Sequence, residues 1–324
     1  MNKTENWRSV ALHDNLRVRA MILAKIRQFF AERDVMEVET PLMCHATVTD
    51  PHVVGIPVLF NRLGCANETI LYLQTSPEYA MKRLLAMQIG PIYQISKAFR
   101  QGEVGRIHNP EFTMLEWYRP GFDHSHLMDE VDVFLQTILH TPAADRISYA
   151  DLFQQYFSIN PHVADVEVLS ACAKEKMIPI ESNLPDRDAW LNLLWTHYIE
   201  PRVGHERPLF LYDFPVSQAA LAKIRDEEFP VASRFEVYYK GMELANGFHE
   251  LQDSAEQLRR FEKDLAQRKQ RGQPVIEIDK RFIAALEHGL PDCAGIAMGI
   301  DRLVMLALDC KSIAEVITFT FENA

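Results

Sequence analysis

The chain has 324 residues, 48% hydrophobic and 24% charged, which is ordinary globular composition and long enough for a large buried core. A formal charge of −11 makes it a poor default partner for a nucleic-acid phosphate backbone, because such binding needs clustered Lys and Arg. Met1 to Asn15 is polar, no stretch is long and apolar enough to span a bilayer, and the five cysteines (Cys44, Cys65, Cys172, Cys293, Cys310) lie at no metal-ligand spacing, so a soluble cytoplasmic protein with free thiols is expected.

Leu16 to Arg33 is expected to form an amphipathic helix, because Ile22, Ile26, Phe29 and Phe30 recur at helical spacing. A short strand follows at Met36 to Glu39 and stops at Pro41. Ile70 to Thr75 reads as a strand running into a helix, with Ser76 as N-cap, Pro77 in the first helical position, and Met81, Leu84 and Leu85 as the buried stripe. Pro91 to Arg100 and Glu111 to Tyr118 read as strands joined by a polar loop rich in Gly, charge and His. From about Pro142 to Pro208 the pattern is helical and acidic, an insertion or connecting subdomain. Phe235 to Glu250 reads as strand, Ser254 to Arg271 as a charged helix, and Gly295 to Leu308 as a Gly-containing strand entering an apolar helix. Without regular βαβ alternation, this order predicts an α+β fold, a mainly antiparallel sheet flanked by helices.

Along the strand at Glu111 to Tyr118, alternation puts Phe112, Met114, Glu116 and Tyr118 on one face. That face offers a ring to stack on a base and a carboxylate to pair with an ammonium group, although an ordinary half-buried strand would look the same. Arg100 closes the preceding strand, and Arg106, His108 and Asn109 add donors suited to phosphate oxygens. Glu243 and Glu250 are an odd number of residues apart, so a bulge at Gly247 is needed to bring both to one face, where they would suit Mg²⁺. Otherwise they are surface glutamates at a sheet edge. Gly299 permits close approach of a ligand, and Arg302 at a helix start calls for an anion unless Asp301 neutralises it. Glu78 suits a helix N-terminus through the dipole alone, or takes a substrate ammonium. His124 and His126 read as surface groups, and no metal role falls to His or Cys.

Together these segments resemble class II aminoacyl-tRNA synthetases, above all the lysyl enzymes. The helix and strand ending at Pro41 resemble the dimer motif, motif 1. FRQGEVGRIHNPEFTMLEWY (Phe99 to Tyr118) resembles motif 2, and GIAMGIDRLVM (Gly295 to Met305) resembles motif 3. TSPEYAMKRLL and ELANGFHEL are similar to lysyl-specific segments. Motif 1 begins almost at the N-terminus, which leaves no room for an anticodon-binding domain, so a single catalytic domain over 1–324 is expected. That arrangement is similar to the elongation factor P–lysine ligases, paralogues of the lysyl-tRNA synthetase catalytic domain.

The resemblance implies ATP and Mg²⁺ as cofactors, lysine or preferably (R)-β-lysine as the activated acid, elongation factor P as acceptor, a homodimer, and no tRNA. It implies ATP binding by Arg100, Gln101, Gly102, His108, Asn109, Phe112, Glu243, Leu244, Gly299 and Arg302, with Arg100 on the α-phosphate, Phe112 on the adenine and Arg302 on the γ-phosphate. Arg100 and Arg302 would be catalytic, Glu243 and Glu250 would hold Mg²⁺, and Ser76, Pro77, Glu78, Glu116, Tyr118 and Glu250 would bind the amino acid. Two positions depart from the pattern. Gly102 stands where motif 2 usually has Glu, so Glu103 or backbone groups must compensate. Ala297 replaces a usual Gly, and its methyl is expected to reshape the pocket floor towards a β-amino acid. The rival readings are a minimal lysyl-tRNA synthetase, an amide-forming ligase such as an asparagine synthetase, and a non-catalytic regulatory paralogue.

Overall fold

The structure, a computed structural model, describes residues 7–61, 68–180 and 184–324. Cys65 and Met1 to Asn6 lie outside the described residues. The chain forms two compact units, one running to Gly121 and resuming from Gln252 to Ala324, the other Phe122–Leu251.

In the first unit, α1 (His13–Ala31) buries Ile22, Ile26, Phe29 and Phe30, the expected stripe. Strands β1 (Met36–Glu37), β2 (Met43–Cys44), β3 (Ile56–Asn61) and β4 (Glu68–Leu73) lead to α2 (Glu78–Ala86) and the hairpin of β5 (Ile92–Phe99) and β6 (Glu111–Pro120). Phe30 stacks on Tyr93 with ring centroids 4.3 Å apart and meets Trp117 edge-on at 5.3 Å, so α1 packs on one face of the hairpin. β1 joins β5 in parallel, whereas β2, β4 and β3 form a small antiparallel sheet of their own.

Helix α2 departs from expectation in two ways. Pro77 rather than Ser76 occupies the N-cap, and Ser76 Oγ accepts a hydrogen bond of 3.4 Å from Glu78 N. Leu84 is only half-buried, and the inner side instead holds Lys82, whose Nζ lies 2.6 Å from Glu78 Oε1. A buried ammonium is tolerated only with such a partner, which the spacing of four supplies.

The second unit begins with α3 (His124–Leu139) and β7 (Asp145–Ser148), so the stretch expected to be helical opens on a strand. Helices α4 (Tyr149–Phe157), α5 (Val166–Glu175) and α6 (Arg187–Leu194) follow, and pack around Tyr149, Phe153, Leu169 and Leu191. Strands β8 (Leu209–Pro215), β9 (Ile224–Arg225), β10 (Val231–Tyr239) and β11 (Met242–His249) complete the unit. The strand expected from Phe235 to Glu250 is two strands, turned at Lys240 and Gly241. Both turn residues have positive φ, 48° and 73°, the pattern that a two-residue hairpin turn requires. β10 pairs antiparallel with β11, β8 and β9, and β7 joins β8 in parallel. His124 is buried rather than exposed, with Nε2 3.0 Å from Arg225 and 3.5 Å from Asp213.

The chain returns to the first unit with α7 (Ser254–Gln270), α8 (Lys280–Gly289), β12 (Cys293–Gly299) and α9 (Ile300–Leu308). β12 pairs antiparallel with β6, giving the order β1-β5-β6-β12. Asp301 does not neutralise Arg302. It pairs with Arg19 Nη1 at 2.6 Å and accepts from Thr113 N at 2.8 Å, while Arg19 Nη2 donates to Thr113 Oγ1 at 2.8 Å. This buried network ties α1, β6 and α9 together. Asp301→Ala strips Arg19 of its counter-charge and is expected to cost about 3 kcal/mol. The loss should show as a lower urea midpoint with an unchanged m-value; a midpoint equal to wild type would deny the network that role.

Candidate active site

The register of the first unit's sheet defines the site. On β6, Phe112, Met114, Glu116 and Tyr118 share the face opposite Trp117. Across from them, β5 places Ala98, Ser96, Gln94 and Ile92, and β12 places Gly299, Ala297 and Gly295 beside Met114, Glu116 and Tyr118. Glu116 thus stands between Gln94 on β5 and Ala297 on β12. Glu116 is 2% exposed and accepts a hydrogen bond of 2.6 Å from the Tyr118 hydroxyl. A carboxylate so deeply placed is suited to a cationic ligand.

At the far end of this face the Arg100 guanidinium lies 5.1 Å from the Phe112 ring centroid, and its Nη1 is 3.6 Å from Glu103. Gly102 has φ +82°, a conformation that disfavours a side chain. Glu103, one residue later, is the carboxylate beside Arg100 in this loop. Gln101 is exposed, and its backbone N donates to Val54 O at 2.8 Å.

The loop donors separate in the structure. Arg106 turns away to Lys311 O at 2.7 Å. Asn109 donates to Glu111 O at 2.6 Å and accepts from Phe321 N at 2.9 Å, which anchors the start of β6 to the C-terminal segment. His108 alone among these three reaches Arg302, with Nε2 2.6 Å from Nη2. Gly299 has open space above it: an added Cβ would meet nothing nearer than Arg302 Cδ at 3.9 Å.

Because a guanidinium only donates, His108 Nε2 must be the acceptor, and the ring must be neutral. Burial lowers the His108 pKa, the Arg302 charge lowers it further, and Glu103 pulls the other way. The neutral ring therefore survives to a lower pH than that of an ordinary histidine, near 6.5. Once the pH falls through that lowered value, protonation should break the hold on Arg302. A pH profile of ATP-dependent pyrophosphate exchange should accordingly show an acid limb below the ordinary histidine range. In His108→Gln, whose amide oxygen accepts without titrating, that limb should disappear, and its persistence would assign it to another group.

On the second unit, the parity of Glu243 and Glu250 is reversed by a bulge, but not at Gly247. The β10–β11 register steps between Val237, opposite Ala245, and Tyr238, opposite Glu243, so Leu244 is the extra residue. Gly247 sits in regular register opposite Phe235, and its role is packing: a Cβ there would lie 2.4 Å from Phe235 Cζ. Glu243, Asn246 and Phe248 consequently face the same way as Tyr238, Glu236 and Arg234, and alternation carries Glu250 to that face. Arg234 and the Tyr238 hydroxyl both bond Glu236. Among the described residues no group of three or more His, Cys, Asp or Glu is placed to hold a metal by itself. A carboxylate pair on one face is the oxygen donor set that suits Mg²⁺ shared with substrate phosphates.

The model for tRNA synthetases class II (D, K and N) matches residues 2–323. The chain belongs to this class II family. An elongation factor P–(R)-β-lysine ligase from Hamiltonella defensa subsp. Acyrthosiphon pisum (strain 5AT) is 51% identical over 325 residues, covering 100% of both chains.

The segments that resemble motif 2 and motif 3 form the β5–β6 hairpin and β12 with α9, both on the first unit. Sequence reasoning missed Lys82 as the partner of Glu78, although the spacing of four was visible. It also missed Gln74 and Gln94, buried polar residues of the same unit that had no sequence signal beyond their place near strand ends or on a strand. Among the described residues no helix is long and apolar enough to cross a membrane, and Cys44, Cys172, Cys293 and Cys310 are in no disulfide.

Proposed function

We propose that this chain uses ATP to activate lysine, preferably (R)-β-lysine, as its adenylate, and transfers it to the ε-amino group of a lysine on elongation factor P. The full-length likeness to a ligase of that name supports this reading. The structural observation that carries it is the buried Glu116–Tyr118 pair on the strand face that also bears Phe112. A diamino acid needs carboxylates for its ammonium groups, and Glu116 and Glu78 serve them, with Ser76 and Pro77 shaping the wall at Glu78. Ala297, beside Glu116, narrows the floor and biases the choice of isomer.

In the first step a carboxylate oxygen of the amino acid bonds to the α-phosphorus, and the bond to the bridging oxygen breaks to release pyrophosphate. No base is needed, because the carboxylate is already a nucleophile; the protein positions the reactants and stabilises charge. Arg100 holds the α-phosphate, Phe112 stacks the adenine, Arg302, aligned by His108, holds the γ-phosphate, and Gly299 lets the nucleotide approach the backbone. Gln101, Gly102, Asn109 and Leu244 complete the nucleotide site. Glu243 and Glu250 would hold Mg²⁺, which supplies positive charge to the phosphate oxygens when bound. In the second step a neutral lysine amine attacks the carbonyl carbon of the mixed anhydride, AMP leaves, and the amine sheds its proton.

The reading includes a homodimer. Leu59 and Ile70 stand opposite each other on β3 and β4 and are 69% and 54% exposed, an apolar pair suited to an interface. A Leu59→Asp, Ile70→Asp double variant should sediment as a monomer while wild type sediments as a dimer; a dimeric variant would move the interface elsewhere.

The function itself is tested by incubating the protein with ATP, Mg²⁺ and labelled lysine or (R)-β-lysine, in the presence of elongation factor P or tRNA. Label on the factor is the expected result. Label on tRNA would make this a synthetase, and neither label nor pyrophosphate would make it a non-catalytic paralogue.

A further inference from the structure

The loop between β5 and β6 joins Arg100 to the strand of Phe112 and carries His108 and Asn109. Within itself it bonds Val104 N to Gly102 O at 2.9 Å and pairs Gly105 with His108. A loop joined by such short-range bonds needs hold from outside to keep one shape. The chain after α9 supplies it. Arg106 Nη1 donates to Lys311 O at 2.7 Å, and Ile313 N donates to Arg106 O at 2.9 Å. Farther along, Phe321 N donates to Asn109 Oδ1 at 2.9 Å.

This segment can hold the loop because it is itself fixed. The Glu315 carboxylate accepts from Lys311 N at 3.0 Å and from Ser312 N at 2.8 Å. Ile313, Val316 and Ile317 are buried. Helix α1 grips the same stretch, with Asn15 donating to Glu315 O at 3.0 Å and Arg19 to Val316 O at 3.3 Å. Thr320 to Asn323 then form a tight turn. Asn323 N donates to Thr320 O at 3.1 Å, and Asn323 Oδ1 accepts from Thr320 N at 2.7 Å and from Thr320 Oγ1 at 2.9 Å. Phe321 is the second residue of that turn, whose N–H the turn does not use, and it goes to Asn109 instead. The ring is 66% exposed, so what Phe321 gives the loop is its backbone donor.

Asn109 is committed in turn. Its Oδ1 takes the Phe321 N–H and its Nδ2 donates to Glu111 O at 2.6 Å, so turning the amide round would set oxygen against a carbonyl and N–H against N–H. The side chain therefore has one orientation, which ties the end of the loop to the first residue of β6, next to Phe112.

We propose that the Thr320–Asn323 turn is a positioning element for the nucleotide site, in which the Phe321 N–H holds Asn109, and with it the end of the β5–β6 loop and Phe112, in the arrangement that receives ATP. The proposal rests on the nucleotide site of the activation reading argued above. Without the bond the loop spends time in other shapes, and the apparent affinity for ATP falls by the fraction lost.

The test is ATP binding by titration calorimetry, together with pyrophosphate exchange, on the full chain and its variants. Phe321→Pro deletes the donor, and proline suits the second position of such a turn, so the fold should stand. Its Kd for ATP should rise by about three- to tenfold, the hold of one hydrogen bond, and KM for ATP should follow while KM for lysine stays as in wild type. Phe321→Ala keeps the donor and should bind ATP as wild type does. Asn323→Ala opens the turn and should weaken ATP binding as the proline variant does. Adding Phe321→Pro to Asn109→Ala should weaken it no further, because both act through one bond. An unchanged Kd in Phe321→Pro, an equal rise in Phe321→Ala, or additive effects in the double variant would each overturn the proposal. Wild type that binds ATP without exchanging pyrophosphate would sink the activation reading, while the Kd values would still decide this one. Wild type that binds no ATP would overturn both.

Discussion

Arg100→Ala should lower the rate of adenylate formation by about 10²–10³, the usual cost of removing one preorganised donor from a developing charge. Arg100 is partly exposed, with its guanidinium over Phe112 and 3.6 Å from Glu103, so the variant should fold normally. The loss should appear in kcat of pyrophosphate exchange, with KM for the amino acid nearly unaffected, because the arginine meets the nucleotide rather than the amine. Arg100→Lys should recover little, since a point charge does not reproduce the planar fork. Wild-type exchange by Arg100→Ala would remove this residue from the chemistry and with it the reading of the β5–β6 loop. Glu103→Gln offers a milder check on the same loop: if Glu103 compensates for Gly102, its loss should also slow adenylation.

Glu116→Gln is expected to have an effect of similar size on a different parameter. The carboxylate is buried, and the amide that replaces it still accepts from Tyr118 through its oxygen, so the fold should survive. A bound ammonium, however, would lose its counter-charge in a desolvated place. Breaking a buried pair costs about 3–5 kcal/mol, or about 10²–10⁴ in kcat/KM for lysine. An acid of the same shape without the amine should be activated no worse by the variant than by wild type. If the variant discriminates between the two acids as wild type does, Glu116 does not read the ammonium, and the amino-acid pocket must be sought elsewhere.

Much of the fold was legible in the sequence because the relevant signals are local. The stripe of Ile22, Ile26, Phe29 and Phe30 depends only on helical period, and the shared face of Phe112, Met114, Glu116 and Tyr118 only on strand alternation. The errors came where pairing decides. A bulge is a property of two strands in register, so Gly247 attracted an assignment that belongs to Leu244, while the glycine's actual constraint is the Phe235 ring on the neighbouring strand. Asp301 looked like a neighbour for Arg302, but a helix start can pair its acid with any cation packed beside it, and that cation is Arg19, 282 positions earlier in the chain (301 − 19).

By itself, the amino-acid sequence determined the class of fold and placed most of the candidate site residues on their strands and helices, because residue type, period and spacing are carried by short segments. Only the tertiary structure decided what each of those side chains meets. It committed Asn109 to the Phe321 backbone, set His108 against Arg302 and gave Glu78 a buried lysine. A hydrogen bond is settled by distance and direction between groups far apart in the chain, and nothing in a local pattern encodes either.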